Sequence, residues 1–237
     1  MSTHPEFWPH GQIQNVFSDV YFVTGTMKTV LMGANWHFSR NMTIVRDGTS
    51  LTLINAVRLD DAGLAALDAL GTVKNVVKIG SLHGHDDAFY VERYGATYWT
   101  MPGMPVPEGT TAKQLTPGGE VPFAGCSVFA FEHTKLPEGI LRIDREGGIL
   151  VACDSLQNWV TPDEFFSDES RQTMTGMGFF VTANIGPVWM QVNEPKGEDF
   201  ARLKQLSFRH ALCGHGQPLR DEAGERFSAT FARLFGV

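Results

Sequence analysis

The chain has 237 residues, a length one large domain can fill, and 43% of them are hydrophobic against 19% charged. That balance excludes a disordered chain and a small scaffold that needs staples. A net charge of −7, a pI near 5.6 and no basic cluster interleaved with aromatics argue against nucleic acid as a partner and leave a small-molecule substrate as the expectation.

Residues 1–14 lack the basic start and apolar stretch of a secretory signal, and no apolar run reaches the ~20 residues of a membrane span. Cys126, Cys153 and Cys213 form an odd, widely spaced set. The expected setting is therefore the reducing cytoplasm, with buried thiols and no membrane contact.

In chain order, residues 16–24, 42–46 and 51–55 read as short strands, the last two joined by Asp47-Gly48-Thr49-Ser50 as a hairpin. Residues 60–70 start with Asp60 and Asp61, repeat apolar residues at helical spacing and are followed by Gly71, the pattern of a capped amphipathic helix. Residues 73–79 form an apolar, β-branched run suited to a buried strand. A loop over 81–87 leads into a helix at 88–94, and Pro102, Pro105 and Pro107 mark a long loop after it.

The second half opens with a strand at 127–132, then a hairpin of 139–144 and 148–153 around Arg145-Glu146-Gly147. Helices are expected at 162–166, 197–206 and 221–235, with a strand at 209–213 before the last. Two similar halves, each a sheet with covering helices, would bury both sheet faces.

The chemistry concentrates in Ser81-Leu82-His83-Gly84-His85-Asp86-Asp87, where the buried strand ends. Residues two apart in an extended segment point the same way, so His83 and His85 can present two imidazoles to one point. Such a pair suits Zn²⁺, Fe or Mn²⁺. Read alone, the segment is equally a loop whose Asp86 or Asp87 caps the next helix beside two incidental histidines. Three further candidates tip the reading, because each ends a predicted strand: His133 after Phe131-Glu132, Asp154 after Val151-Ala152-Cys153, and His215 after Leu212-Cys213-Gly214. Loops at one edge of a sheet are where sites are built.

In these residues the chain resembles the metallo-β-lactamase-fold superfamily, which includes glyoxalase II-like thioesterases and lactonases. The family's first motif, His-x-His-x-Asp-His, is matched by His83-Gly84-His85-Asp86-Asp87-Ala88 except at the last position. His133, the Gly-rich hairpin to Asp154 and the late Gly214-His215 follow in the family's order, and the likeness runs from the strand at residue 16 to the last helix. The resemblance implies one α/β domain over 1–237, a four-layer αββα sandwich. It also implies that His83, His85 and His133 hold one metal, Asp154 bridges, and Asp87 with His215 holds a second, Asp87 doubling as the catalytic acid/base.

Zinc is the expected metal, as one or two ions, with Fe or Mn as alternatives. Ala88 is the departure, since a methyl cannot ligate, and it favours one firmly held ion over two. The implied activity is hydrolysis of an ester, thioester, lactone or amide of a small molecule by metal-activated water. The alternative is a binding or regulatory protein on the same fold that has lost one metal site.

His4, His10, His37 and His210 lie outside these contexts. Trp36, Trp99, Trp159 and Trp189 read as core or pocket wall, with pocket favoured for Trp159. Met174, Met177, Phe179 and Phe180 suit an apolar cleft or the core. The long loops 101–124 and 159–186 are expected to shape the pocket.

Overall fold

Most strands follow the β-branched and aromatic runs, and the computed structural model describes residues 4, 6–31 and 33–237. The expected strand at 16–24 divides into β1 (Gln14–Phe17) and β2 (Val20–Leu31), because Asp19 turns the chain in the left-handed region at φ 57°. β2 pairs with β3 (Ala34–Asp47) from Val20 opposite Val45 to Leu31 opposite Ala34. This arm is far longer than the alternation in the sequence suggests.

β4 (Ser50–Ile54) closes the Asp47-Gly48 hairpin, and α1 (Asp61–Leu70) starts where the Asp60 carboxylate accepts from the Gly63 N–H at 2.7 Å. Capping of this kind contributes about 1 kcal/mol. β5 (Thr72–Lys78), α2 (Asp87–Tyr94), β6 (Thr97–Thr100) and β7 (Ala112–Gln114) follow; β6 and β7 lie in or beside the stretch read as loop.

The second half holds β8 (Cys126–Ala130), β9 (Gly139–Ile143) and β10 (Ile149–Ala152), as the hairpin pattern indicates. The expected helix at 162–166 does not form. The helix begins instead after Ser167, whose hydroxyl caps α3 (Asp168–Gly176), and α4 (Pro187–Asn193) follows it. α5 (Gly197–Leu203), β11 (His210–Cys213) and α6 (Ala223–Phe235) complete the chain.

One sheet has the order β1-β2-β3-β4-β5-β6-β7, antiparallel up to β4 and parallel beyond it; the other has β11-β10-β9-β8. Val20, Phe22, Val45 and Val77 of the first sheet meet Leu141, Ile143, Val151 and Leu212 of the second in the central core. The outer face of the first sheet packs on Leu64 and Leu67 of α1 and Tyr90 of α2. The outer face of the second packs on Trp189 of α4, Phe200 of α5 and Phe227 and Phe231 of α6. The result is a four-layer αββα sandwich.

Each buried Phe of this kind contributes roughly 1.5–3 kcal/mol. The cysteines are free thiols, Cys153 and Cys213 buried and Cys126 half-buried. His210 is packed, its Nδ1 accepting from the Asp221 N–H. Among the described residues no helix is long and apolar enough to cross a membrane.

Candidate metal centre

The register between two parallel strands delivers the first pair of side chains. Ala152 of β10 lies opposite Cys213 of β11, so the chain leaves both strands at one sheet edge, and Asp154 and His215 each follow two residues later. The β3 residue Asn41 ties this turn down. Its N–H donates to Gly214 O at 2.8 Å, and its side-chain amide donates to Cys213 O at 3.0 Å and Gly216 O at 2.7 Å. Gly216 has φ 88°, and a Cβ there would lie 2.2 Å from the Asn158 carbonyl, so the turn requires glycine. His83 comes from the loop after β5.

His83 Nε2 lies 3.1 Å from His215 Nε2 and 3.4 Å from Asp154 Oδ2; His215 Nε2 lies 3.0 Å from Asp154 Oδ1. On the far side of its ring, His215 Nδ1 donates to the Ser39 carbonyl at 3.0 Å, which orients Nε2 toward Asp154 and His83. The two imidazole nitrogens and the carboxylate thus face one another, an arrangement that either shared protons or one cation between them would satisfy. The separations match the ~3.3 Å ligand–ligand edge of a tetrahedral site with bonds of about 2.0–2.1 Å. Two imidazoles and a carboxylate are a donor set for Zn²⁺, Fe or Mn²⁺, and they fit one ion. The Cys153 thiol belongs to the same cluster, with Sγ 3.7 Å from Asp154 Oδ2.

The electrostatics agree with this assignment. Burial lowers the His83 pKa, favouring the neutral imidazole that ligation needs. Burial works against ionised Asp154, yet hydrogen bonds and positive charge from His83 and His215 in the metal-free site hold its carboxyl below the usual range, a role a bound cation would take over. Burial pushes the Cys153 thiol well up, with the Asp154 charge adding to it. Glu138, also buried, accepts the Asp154 and Ser155 N–H groups at 3.1 and 3.0 Å and is itself pushed up, first by burial and then by Asp154.

The remaining expected ligands go elsewhere. His85 lines the same cavity, but its ring stacks on Trp8 with centroids 5.3 Å apart, and its Nε2 is 3.9 Å from Asp86 Oδ1. Asp86 does not cap α2. It accepts from the Arg58 N–H at 2.6 Å and forms a buried ion pair with Arg40. Asp87 is fully buried and accepts from the Tyr98 hydroxyl at 2.9 Å, away from a proton-transfer position in the cavity. A Cβ on Gly84, at φ 106°, would sit 3.0 Å from both Asp87 Oδ2 and Lys78 Cδ, so buried Lys78 packs at this same point.

His133 is the clearest departure. Its ring is 47% exposed and faces Asp199 Oδ1 at 3.4 Å, in a separate group with Glu132. Asp199 of α5 captures the Glu132 and His133 N–H groups and an Arg202 nitrogen, which turns the loop away from the cavity. The donors for a second ion are therefore not assembled: Ala88 offers none, and Asp86 and Asp87 are engaged beside the chain's own cations, Arg40 and Lys78. The residues present do not fit two metals.

The cluster lies at a cavity of about 230 Å³. Met27 of β2 and Trp36, Phe38 and Arg40 of β3 form one wall, with Met174 of α3 and Trp159 and Phe179 from the loops beside it; the stretch 101–124, read as a long loop, supplies none of the described lining. Trp159 Nε1 donates to the Ser39 hydroxyl at 3.1 Å, tying wall to cluster. Arg40, Ser39, Asn41, Glu138 and Gln157 escaped the sequence reading. Only Arg40 carried a usable signal, as a lone cation two positions from Phe38 and four from Trp36 on one face of a strand.

No protein-family model matches the chain, and no curated protein matches it in sequence. Solved structures do match in shape. A metallo-β-lactamase from Hirschia baltica aligns over 93% of this chain and 97% of its own, at 14% identity and TM-score 0.56. One from Erythrobacter litoralis aligns over 97% and 96%, at 14% identity and TM-score 0.56. The metallo-β-lactamase FIM-1 from Pseudomonas aeruginosa, in a mono-zinc form, aligns over 97% of both chains at 12% identity and TM-score 0.58. Likeness at these identities speaks for architecture rather than activity, and on it, with the two sheets and six helices already described, this chain has the metallo-β-lactamase fold.

Proposed function

We propose that the protein is a metal-dependent hydrolase of an ester, thioester, lactone or amide of a small molecule, with one ion held by His83, Asp154 and His215. The observation that carries this reading is the meeting of three distant donors, with no Lys or Arg of the described residues between them, at a largely apolar cavity. Zinc suits the donor set, with Fe or Mn as alternatives. A cation there supplies Lewis acidity that lowers the pKa of water and offsets charge on a carbonyl oxygen.

The chain's own residues do the rest. The Ser39 carbonyl orients the His215 ring, Trp159 and Phe38 exclude bulk water, and Glu138 secures the backbone of the Asp154 turn. His85, on the cavity wall and outside the ligand cluster, is the side chain placed to take up and return a proton. Asp87, the acid/base implied by resemblance, is replaced in that role because it is buried against Tyr98. The free buried thiols support a reducing, cytoplasmic setting.

Metal analysis of the purified protein, followed by a panel of esters, thioesters, lactones and amides, tests the proposal. One equivalent of metal with turnover of at least one class is expected, and full occupancy with no turnover across the panel overturns it. That second outcome is what a binding protein on the same fold would give, a reading favoured by Ala88 and by the displaced His133.

A further inference from the structure

The cavity has one polar end, and its aromatic wall starts directly on it. The Trp159 and Phe38 ring centroids lie 4.7 and 5.7 Å from that of His215. From there the rings run on without a break, Phe38 to Trp36 at 6.1 Å, Trp36 to Phe179 at 6.0 Å and Phe179 to Trp159 at 5.9 Å. Phe38 and Met27 are half-buried and Leu82 is exposed, so these three present open apolar surface to the cavity, whereas Trp36, Trp159 and Phe179 are buried.

Charge on a ligand is met at the polar end, where a cation held by His83, Asp154 and His215 would face a carbonyl or carboxylate oxygen. The wall offers no such counter-charge. Arg40, the one Lys or Arg among the described lining residues, is already neutralised by buried Asp86. A charged group carried against the rings would lose its hydration for nothing, a costly transfer, while an apolar group there gains in proportion to the area taken from water.

Volume sets the size of that group. An apolar cavity of about 150 Å³ holds a benzene molecule, and this one measures about 230 Å³. The difference leaves room for roughly a carbonyl group and the atoms on either side of it, and not for a second ring. Ring edges and the Met27 thioether favour an aromatic group over an alkyl one of equal size.

We infer that the substrate is a neutral carbonyl compound with a single aromatic ring, joined to the carbonyl directly or through one carbon. The ring lies against Phe38, Met27 and Leu82, and the carbonyl is turned toward His83, Asp154 and His215. Calling this molecule a substrate rests on the hydrolase reading, whereas the selection of one uncharged ring does not.

The test is calorimetric titration of zinc-loaded protein with phenylmethanethiol, mercaptoethanol, para-(mercaptomethyl)benzoate and biphenylmethanethiol. All four anchor on zinc through sulfur, and they differ in what they place in the cavity. Phenylmethanethiol is expected to bind ~30-fold more tightly than mercaptoethanol, roughly the gain from burying a benzene-sized apolar surface, and more tightly than the benzoate or the biphenyl. Phe38→Ala, or Met27→Ala as a second enlargement, is expected to reverse the order of the one-ring and two-ring thiols. Equal binding of phenylmethanethiol and mercaptoethanol by the wild-type protein overturns the inference, as does tightest binding of the benzoate or of the biphenyl. Toluene and para-toluate, titrated into metal-free protein, repeat the comparison without the ion, and toluene is expected to bind the more tightly. A protein that takes up no zinc but keeps that preference loses the hydrolase reading and retains this one. A protein that turns over esters without preferring the ring does the reverse.

Discussion

His83 and His215 stand 132 residues apart in the chain and bring their Nε2 atoms to 3.1 Å, with an oxygen of Asp154 within 3.4 Å of each. If this is a ligand set, zinc titration followed by elemental analysis will find one equivalent per chain. His215→Ala or Asp154→Ala is expected to lower the affinity by ~100-fold or more, since removing only a supporting group already costs about 10–100-fold. His133→Ala is expected to leave it unchanged. Saturating metal should also stabilise the fold, by about 2.7 kcal/mol at a hundred times Kd.

The Arg40 and Asp86 side chains form an ion pair that is 5% and 2% exposed. Arg40→Met leaves a buried carboxylate that keeps the Arg58 N–H and, at 3.9 Å, His85 but loses its buried guanidinium, and removing one partner of such a pair typically costs about 3–5 kcal/mol. Urea unfolding checks this. The double variant Arg40→Met with Asp86→Leu is expected to recover much of the loss, because no buried charge then remains uncompensated.

Asp87 supplies a pH signature. Burial raises its pKa from 3.8 to about 6, so the folded state holds a proton that the unfolded chain has released. The associated stability is fully present below pH 3.8 and is lost as the pH rises through about 6. Asp87→Asn, which can still accept from Tyr98, should therefore gain stability relative to wild type by roughly 2–3 kcal/mol between pH 4 and pH 7.5 in metal-free protein. Parallel thermal or urea profiles that stay level across that window would sink the assignment.

Gly216→Ala tests the turn that presents His215. The new Cβ would meet the Asn158 carbonyl carbon and oxygen at 2.2 Å and the Trp159 nitrogen at 2.3 Å, on a residue with φ 88°. Backbone atoms cannot yield cheaply, so a loss of more than about 3 kcal/mol is expected. Because Trp159 and His215 share this contact, zinc affinity should fall as well. A near-wild-type urea midpoint with normal metal uptake would show that the turn has a freedom the packing denies.

Local pattern told most of the fold. The Asp60 cap, the Asp47-Gly48 hairpin, the buried runs of β5 and β10 and the His-ended strand β11 were all legible, because each depends on neighbours in sequence. The outer half of the β2–β3 arm was not, since it mixes polar and apolar side chains, and Trp36 and Phe38 there are buried by distant residues such as Trp159, Phe166, Phe179 and Met174. The helix expected at 162–166 failed for a related reason: Ser167 provides a cap five residues after Pro162, and the chain begins α3 there.

The sequence by itself determined most of the strands, the helices α1, α2, α5 and α6, and the placing of His83, Asp154 and His215 just beyond strand ends, because these are consequences of local preference and hydrophobic burial. Only the tertiary structure decided that His133 turns outward to Asp199, that Asp86 pairs with Arg40, and that Gln157 and Trp189 share a cavity with the cluster. Those outcomes are set by which charges and hydrogen-bonding groups meet across 46 to 66 residues of chain and in the packing of separate layers, and no spacing along the sequence encodes such meetings.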